Sequence, residues 1–335
     1  MRRLFACFTA LVNHIAYEDV DGFAGMATTT AAAVVTAAAV VWFVRMARRE
    51  NHTPGGPVKG NICPARTTRA NPCGTRVPWM SFAAAARAFE MTGPTGTGRS
   101  YTARRRCRLG DVTPKGRLRL DAVARYLQDV ANDDSRDAEW SDPHWWVVRR
   151  SVVDVLSFPT YLQEVDLTTW CGGTGSHWAE RRTRITSVDG TVLVDAATLW
   201  VHVDKDTLQP SRVPDDVAPV LSGSAAGRQV GARLILKPKD FDNASAERRE
   251  WPLRFSDFDT VGHMNNAAYW EVLEEHMATD LRDRDGLRAV VEHVVQVDPG
   301  QSVTREWTVG DGVSVQLTNA GTVHAAAWAG PLRAG

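Results

Sequence analysis

The chain has 335 residues, 44% of them hydrophobic, with 39 basic and 39 acidic residues. This composition is typical of a globular protein with a packed core, and the zero formal net charge excludes nucleic-acid binding through bulk positive charge. Five cysteines without a CxxC pair argue against a disulfide framework or a zinc ribbon, and the nine histidines include no HExxH. We therefore expect no metal or other cofactor, no nucleic-acid partner and a reducing, cytoplasmic location.

Residues 22–44 form an uncharged segment rich in Ala, Val and Thr, followed by Arg45, Arg48 and Arg49. The segment is long enough to span a bilayer, and the arginines would then hold the main body in the cytoplasm. A surface or buried helix is the alternative, because Ala and Thr favour insertion less than Leu or Ile. Membrane contact is therefore expected only if this segment is a genuine anchor.

Residues 50–80 have the mixed Pro, Gly, Arg, Thr and Asn composition of a disordered linker. Met91 stands just before the first predicted strand at Tyr101, so a start of translation at Met91, or at Met80, competes with the anchor interpretation. We assign residues 1–99 to an N-terminal extension, and we expect residues 1–90 to be dispensable for folding and activity.

Residues 100–215 form the first predicted domain. A short strand and a glycine-containing turn lead into an amphipathic helix, in which Leu120, Val123, Leu127 and Val130 recur at helical spacing. Strands rich in β-branched and aromatic residues are predicted at 149–158, 164–171, 178–187 and 191–204. Residues 216–248 are the predicted connector to a second domain, 249–335.

The second domain repeats the first. A shift of 146 positions, which superposes Gly116 on Gly262, also aligns Arg108 with Arg254, Asp111 with Asp257 and Leu127 with Leu273. After its helix, strands are predicted at 288–297, 302–309, 312–317 and 322–328. The pattern of one helix followed by antiparallel strands thus occurs twice. It predicts an α+β protein in which two antiparallel sheets each wrap a long helix.

Asp259 and His263 lie four residues apart just before the second helix. A carboxylate can activate water or attack a carbonyl, an imidazole can orient it or relay a proton, and helix N–H groups can receive an oxyanion. Capping of the helix is the alternative role for an isolated D-x-x-x-H. The first copy has Thr113 and Arg117 at the aligned positions, which favours a functional role and one active site per chain.

The wider string, from Asp257-Phe-Asp259 through Gly262-His263-Met-Asn265-Asn266 to Tyr269, resembles a segment of the hotdog-fold thioesterases. Among them it is most similar to the plastid and bacterial acyl-ACP thioesterases, in which it reads roughly D-x-D-x-N-x-H-V-N-N-x-x-Y. The resemblance extends from about Tyr101 to the end of the chain. It implies a double hotdog that hydrolyses fatty acyl thioesters of acyl carrier protein (ACP), its partner, in fatty acid biosynthesis.

The resemblance also implies site residues. Asp259 and His263 match two members of the family's catalytic network, whose Asn is replaced here by Val261 and whose Glu-Cys pair aligns with Gln296 and Val297. Since no thiol is present at that point, Asp259 is left as general base or nucleophile, with Gln296 positioning the water or the carbonyl. A solvent-facing strand residue is the alternative for Gln296.

Several further residues are candidates for binding. Asn265 and Asn266 precede the second helix, where they can cap it while nearby N–H groups stabilise the oxyanion. Trp145 and Trp146, with Trp170, are candidates for lining an acyl pocket, although tryptophans in such folds more often belong to the core. The arginine runs 104–108 and 181–182 are candidates for receiving an acidic carrier, and a solvated strand face is the alternative.

Two other functions stay open on the sequence: an acyl-CoA thioesterase of the same fold and a non-catalytic acyl-binding protein. The second would need an output module, and none is evident in residues 1–100. A homodimer is also left open.

Overall fold

The computed structural model describes residues 81–140, 145–241, 243–277, 279–310 and 312–332. The candidate membrane segment 22–44 and the predicted linker 50–80 lie outside these ranges. Among the helices of the described residues, none combines the length and the apolar character that crossing a membrane requires.

The strands of the described residues form one antiparallel sheet in the order β1-β3-β4-β5-β2-β7-β10-β9-β8-β6. Each strand predicted after the two helices is present, with bounds that differ by at most four residues. The strands are β1 (Ser100–Arg106), β2 (Trp146–Val155), β3 (Glu164–Thr174), β4 (Trp178–Ser187), β5 (Val192–His202), β6 (Glu247–Trp251), β7 (Leu287–His293), β8 (Val303–Gly310), β9 (Gly312–Asn319) and β10 (Thr322–Pro331).

The pairing of β2 with β7 joins the two copies of the repeat. In its register Val152 lies opposite Val290 and Asp154 opposite Arg288. The two sheets expected from the sequence are therefore the two halves of one continuous sheet, related by an approximate two-fold axis at this pair. Both strands are buried on both faces over most of their length, as expected for strands at the centre of a covered sheet.

The helices are unequal in length. They are α1 (Phe82–Arg87), α2 (Leu120–Asp137), α3 (Ala218–Ser224), α4 (Ala268–Glu275) and α5 (Thr279–Arg282), with 3-10 turns at Leu109–Asp111, Pro238–Asp240 and Phe255–Asp257. The predicted apolar stripe of α2 is buried in the main core, where α2 packs against α4. With 8 residues, α4 is less than half as long as α2, which has 18, so a long helix is found only in the first copy.

Helix α1 covers the other face of the sheet. Phe82 and Ala86 are buried against β2, β7 and β10. Arg288 pairs through two bonds of 2.6 Å with Asp154 across the central strands, and its Nη1 also donates to the carbonyls of Ala86 and Phe89. Residues 81–91 are therefore packed on the domain. A segment can pack on a sheet without belonging to its repeat, and the dispensability of residues 1–90 for folding and activity stays a prediction.

Candidate active site

A tight turn holds Asp259 and His263 at its two ends. The Asp259 N–H donates to the His263 carbonyl at 3.1 Å, and the Gly262 N–H donates to the Asp259 carbonyl at 2.9 Å. Gly262 has a φ of +84°, a conformation that glycine adopts without a steric cost. The Val261 N–H donates to Oδ1 of Asp259 at 3.0 Å, so the residue that replaces the family's Asn still fixes the carboxylate through its backbone.

Asn265 connects this carboxylate to helix α4. Its Oδ1 accepts the Ala267 N–H at 2.9 Å, and its Nδ2 lies 3.4 Å from Oδ2 of Asp259. Asn265 therefore closes the turn that leads into α4 and neighbours the candidate base, whereas the residue at the N-cap position of α4 is Ala267. Asn266 is half-buried in the same turn.

His263 lies near a carboxylate that the sequence analysis missed. Its Nε2 is 3.8 Å from Oδ1 of Asp298, and about a third of each side chain is exposed. The bonds of Asp259 go to Val261 and Asn265, so its carboxylate and the imidazole have different partners. The sequence signal available for Asp298 was its position two residues after Gln296.

Gln296 lies beside the turn but outside a strand, because β7 ends at His293. The Met264 N–H donates to the Val297 carbonyl at 2.9 Å, and Tyr269 bonds to the Val297 backbone through its hydroxyl. Burial raises the pKa of this tyrosine. The segment is thus held next to the turn, but within the described structure the Gln296 side chain makes no hydrogen bond to Asp259 or His263.

The corresponding turn of the first copy has the same backbone and different side chains. The Thr113 N–H donates to the Arg117 carbonyl at 2.8 Å, and Gly116 has a φ of +83°. Arg117 is buried and forms an ion pair with Glu274 of α4 at 2.5 Å. This turn is therefore occupied by a contact between the two copies.

A cavity of about 220 Å³ lies between α2, α3 and the first half of the sheet. Four tryptophans line it, and we call it the tryptophan cavity: Trp140, Trp146, Trp170 and Trp200. Of the tryptophans considered as candidates for an acyl pocket, Trp146 and Trp170 line this cavity and Trp145 does not. A second depression, the groove, lies beside Asn265, and Gln128 and Asn132 of α2 line both.

Among the described residues, the cysteines are buried and several arginines of the two candidate runs are paired with carboxylates. Cys107 and Cys171 are buried, and burial raises the pKa of both thiols to about 11. Carboxylates partner several arginines of the two candidate runs: Arg104 pairs with Asp166, Arg105 with Asp133, Arg106 with Glu164, Arg181 with Asp134 and Arg182 with Glu180. Neither run is an unpaired basic patch.

Comparison with known proteins gives the family. The acyl-ACP thioesterase N-terminal domain matches residues 98–221 and the C-terminal domain matches residues 241–327, together more than half of the chain. An uncharacterised protein of Mycobacterium tuberculosis H37Rv is 28% identical over 218 residues, which cover 65% of this chain and 86% of that protein. A chloroplastic acyl-[acyl-carrier-protein] hydrolase of Cuphea viscosissima is 30% identical over 210 residues, 54% of this chain and 51% of that protein.

Solved structures show the same fold. A putative oleoyl thioesterase from Lactobacillus plantarum has a TM-score of 0.60 at 20% identity and covers 71% of this chain and 97% of its own. The 12:0-ACP thioesterase from Umbellularia californica has a TM-score of 0.55 at 18% identity, with coverages of 72% and 98%. The double hotdog architecture is thus confirmed, and the chain belongs to the acyl-ACP thioesterase family, a family of thioester hydrolases.

Proposed function

We propose that this protein hydrolyses fatty acyl-ACP to free fatty acid and ACP in fatty acid biosynthesis, with one active site at Asp259. The observation that carries the proposal is the second-copy turn, in which the Asp259 carboxylate is hydrogen-bonded to Val261 and to Asn265, a residue that lines the groove. The aligned turn of the first copy has no carboxylate at that position.

In the proposed mechanism Asp259 removes a proton from the water that attacks the thioester carbonyl. A C–O bond forms, the carbonyl oxygen becomes an oxyanion, and N–H groups at the start of α4 stabilise it. Collapse of this intermediate breaks the C–S bond, and the leaving sulfur takes the proton back from Asp259 or through His263. Direct attack by Asp259, which would give an anhydride, is the alternative.

The acyl tail is assigned to the tryptophan cavity. Gln128 and Asn132 border both this cavity and the groove, so a chain whose thioester lies near Asn265 has next to it a cavity lined by tryptophans as well as by charged residues. Trp146 and Trp170 supply flat apolar surface there, which favours burial of methylene groups.

The test is Asp259→Asn in the full-length protein, assayed on panels of acyl-ACP and acyl-CoA thioesters. The substitution keeps the shape and the capping ability of the side chain and removes its charge. Because a positioned general base contributes on the order of 10²- to 10⁴-fold, we expect a folded protein with a rate reduced by that amount.

The matched control is Thr113→Ala, which alters the aligned position of the first copy and should leave turnover almost unchanged. Near-normal hydrolysis by a folded Asp259→Asn protein would refute the assignment of the base. Preference of the wild type for acyl-CoA would replace the proposed carrier, and lack of any hydrolysis would favour an acyl-binding protein.

A further inference from the structure

The two-fold relation between the copies extends beyond the turns to the helices that face them. The shift of 146 positions that superposes Gly116 on Gly262 also superposes Gln128 of α2 on Glu274 of α4. The relation also holds for the backbone pairing around the turns, where Val112 pairs with Leu118 in the first copy and Phe258 with Met264 in the second. Glu274 contacts the turn of the first copy. This contact therefore indicates where Gln128 lies relative to the turn of the second copy.

Glu274 reaches into the turn of the opposite copy. Its Oε1 contacts Nη2 of Arg117 at 2.5 Å, and its Oε2 accepts the Leu120 N–H at the first residue of α2 at 2.7 Å. The positions that correspond to Arg117 and Leu120 are His263 and Asn266. By the same relation, we expect Gln128 to point from α2 towards the start of α4.

The surroundings of Gln128 agree with this placement. Its side chain lines the groove with Asn265, Ala267 and Ala268, and it also borders the tryptophan cavity. It is half-buried and makes no hydrogen bond to another residue of the described structure. An amide at the junction of the two depressions is thus free to bond to a ligand that passes between them.

We propose that Gln128 contacts the thioester itself, donating an N–H of its amide to the carbonyl oxygen that becomes the oxyanion. The inference rests on the proposed function and extends it, because the site then combines a base from the second copy with a donor from the first. The neutral amide suits this role, whereas a carboxylate, as at position 274, would repel the oxyanion. In this proposal Gln128 faces the turn that carries Asp259, whereas Glu274 contacts the turn that carries Arg117.

The test compares Gln128→Ala and Gln128→Glu in the full-length protein with acyl-ACP as substrate. Loss of one oxyanion donor costs about 10²- to 10³-fold in kcat, so we expect Gln128→Ala to lower kcat by this order with little change in KM. Gln128→Glu keeps the size and replaces the amide donor by a carboxylate that only accepts hydrogen bonds at neutral pH. We expect it to be at least as slow as Gln128→Ala, because a carboxylate would repel the oxyanion.

Glu274→Gln is the matched control, since it changes the aligned residue at the silent turn and should leave kcat unchanged. Thermal unfolding of each variant separates a loss of folded protein from a loss of rate. A folded Gln128→Ala protein with kcat within about threefold of wild type would overturn this inference alone. Absence of hydrolysis by the wild type would overturn the proposed function and this inference together.

Discussion

The two turns share a backbone conformation and differ in the side chains of single residues. Gly116 and Gly262 have nearly the same positive φ, and the backbone bonds that close the two turns differ in length by at most 0.3 Å. The side chains at the ends of the turns are Thr113 and Arg117 in one copy and Asp259 and His263 in the other. The backbone is thus set by glycine and main-chain bonds, and the side chains are free to differ in chemistry.

Asp298 gives a prediction at this scale. Its carboxylate lies 3.8 Å from the imidazole of His263, with both side chains about one-third exposed. Since exposed ion pairs contribute about 0–1 kcal/mol, we expect Asp298→Ala to lower kcat by no more than roughly fivefold. Steady-state kinetics checks this, with Asp259→Asn as the reference for a large effect. A loss of a hundredfold would show that Asp298 acts directly on the substrate.

The sequence identified the residues that belong to one local string and missed those brought in from elsewhere. Asp259, His263 and Asn265 lie within seven residues, so one local sequence motif is enough to identify them. Asp298 reaches the site through the pairing of Met264 with Val297, and Gln128 through the packing of α2 on α4. Neither contact leaves a pattern in a single sequence, because each depends on how distant elements pack.

At the scale of elements, the ion pair of Arg117 with Glu274 connects α4 to the turn that precedes α2. Its side chains are 8% and 10% exposed, and Glu274 also accepts the N–H of Leu120. Removal of one partner of a buried pair leaves the other charge without compensation. The pair therefore stabilises the contact between α4 and the first copy.

We accordingly expect Glu274→Ala to lower the free energy of unfolding by about 3–5 kcal/mol. Denaturant unfolding measures this loss, and kcat per folded molecule should stay close to that of the wild type. Asp166→Ala, which removes the partner of Arg104 at the sheet edge, is the control and should change stability little, because that pair is exposed. Equal stability losses in the two variants would contradict the structural role of Glu274.

Helix α1 could not be predicted from the internal repeat of the sequence. It has six residues and no counterpart in the second copy, so the self-alignment gave it no role. Its place is fixed by Phe82 in an apolar cluster and by Arg288, whose guanidinium binds carbonyls at the end of the helix. Such an element is recognised only when the surface that receives it is known.

For the molecule as a whole, two adjacent residues at the end of β7 have opposite effects on acid stability. Burial lowers the pKa of His293 to about 3, so the unfolded chain binds the extra proton below pH 6.5 and stability falls as the pH falls. Burial raises the pKa of Glu292 to about 7, so the folded protein holds the extra proton between pH 4.5 and 7 and stability rises as the pH falls.

We expect the two contributions to oppose each other at about 1 kcal/mol per pH unit each between pH 4.5 and 6.5. Relative to wild type, His293→Gln should gain stability as the pH falls through this range, and Glu292→Gln should lose it. Denaturant unfolding at several pH values measures the slopes, so a constant loss from either substitution does not affect the comparison. Parallel curves for the three proteins would contradict both assignments.

Among the described residues, the strand order puts β1 and β6 at the two ends of the sheet, where one side of each backbone pairs with no other described strand. Unpaired edges invite another chain to add a strand, and charged side chains are a common defence. Arg104 and Arg106 project from β1 to solvent, and charged residues fill most of β6. A second molecule that joined edge to edge at β1 would place arginines beside arginines. The charges at its margins thus protect the sheet from growing into an aggregate.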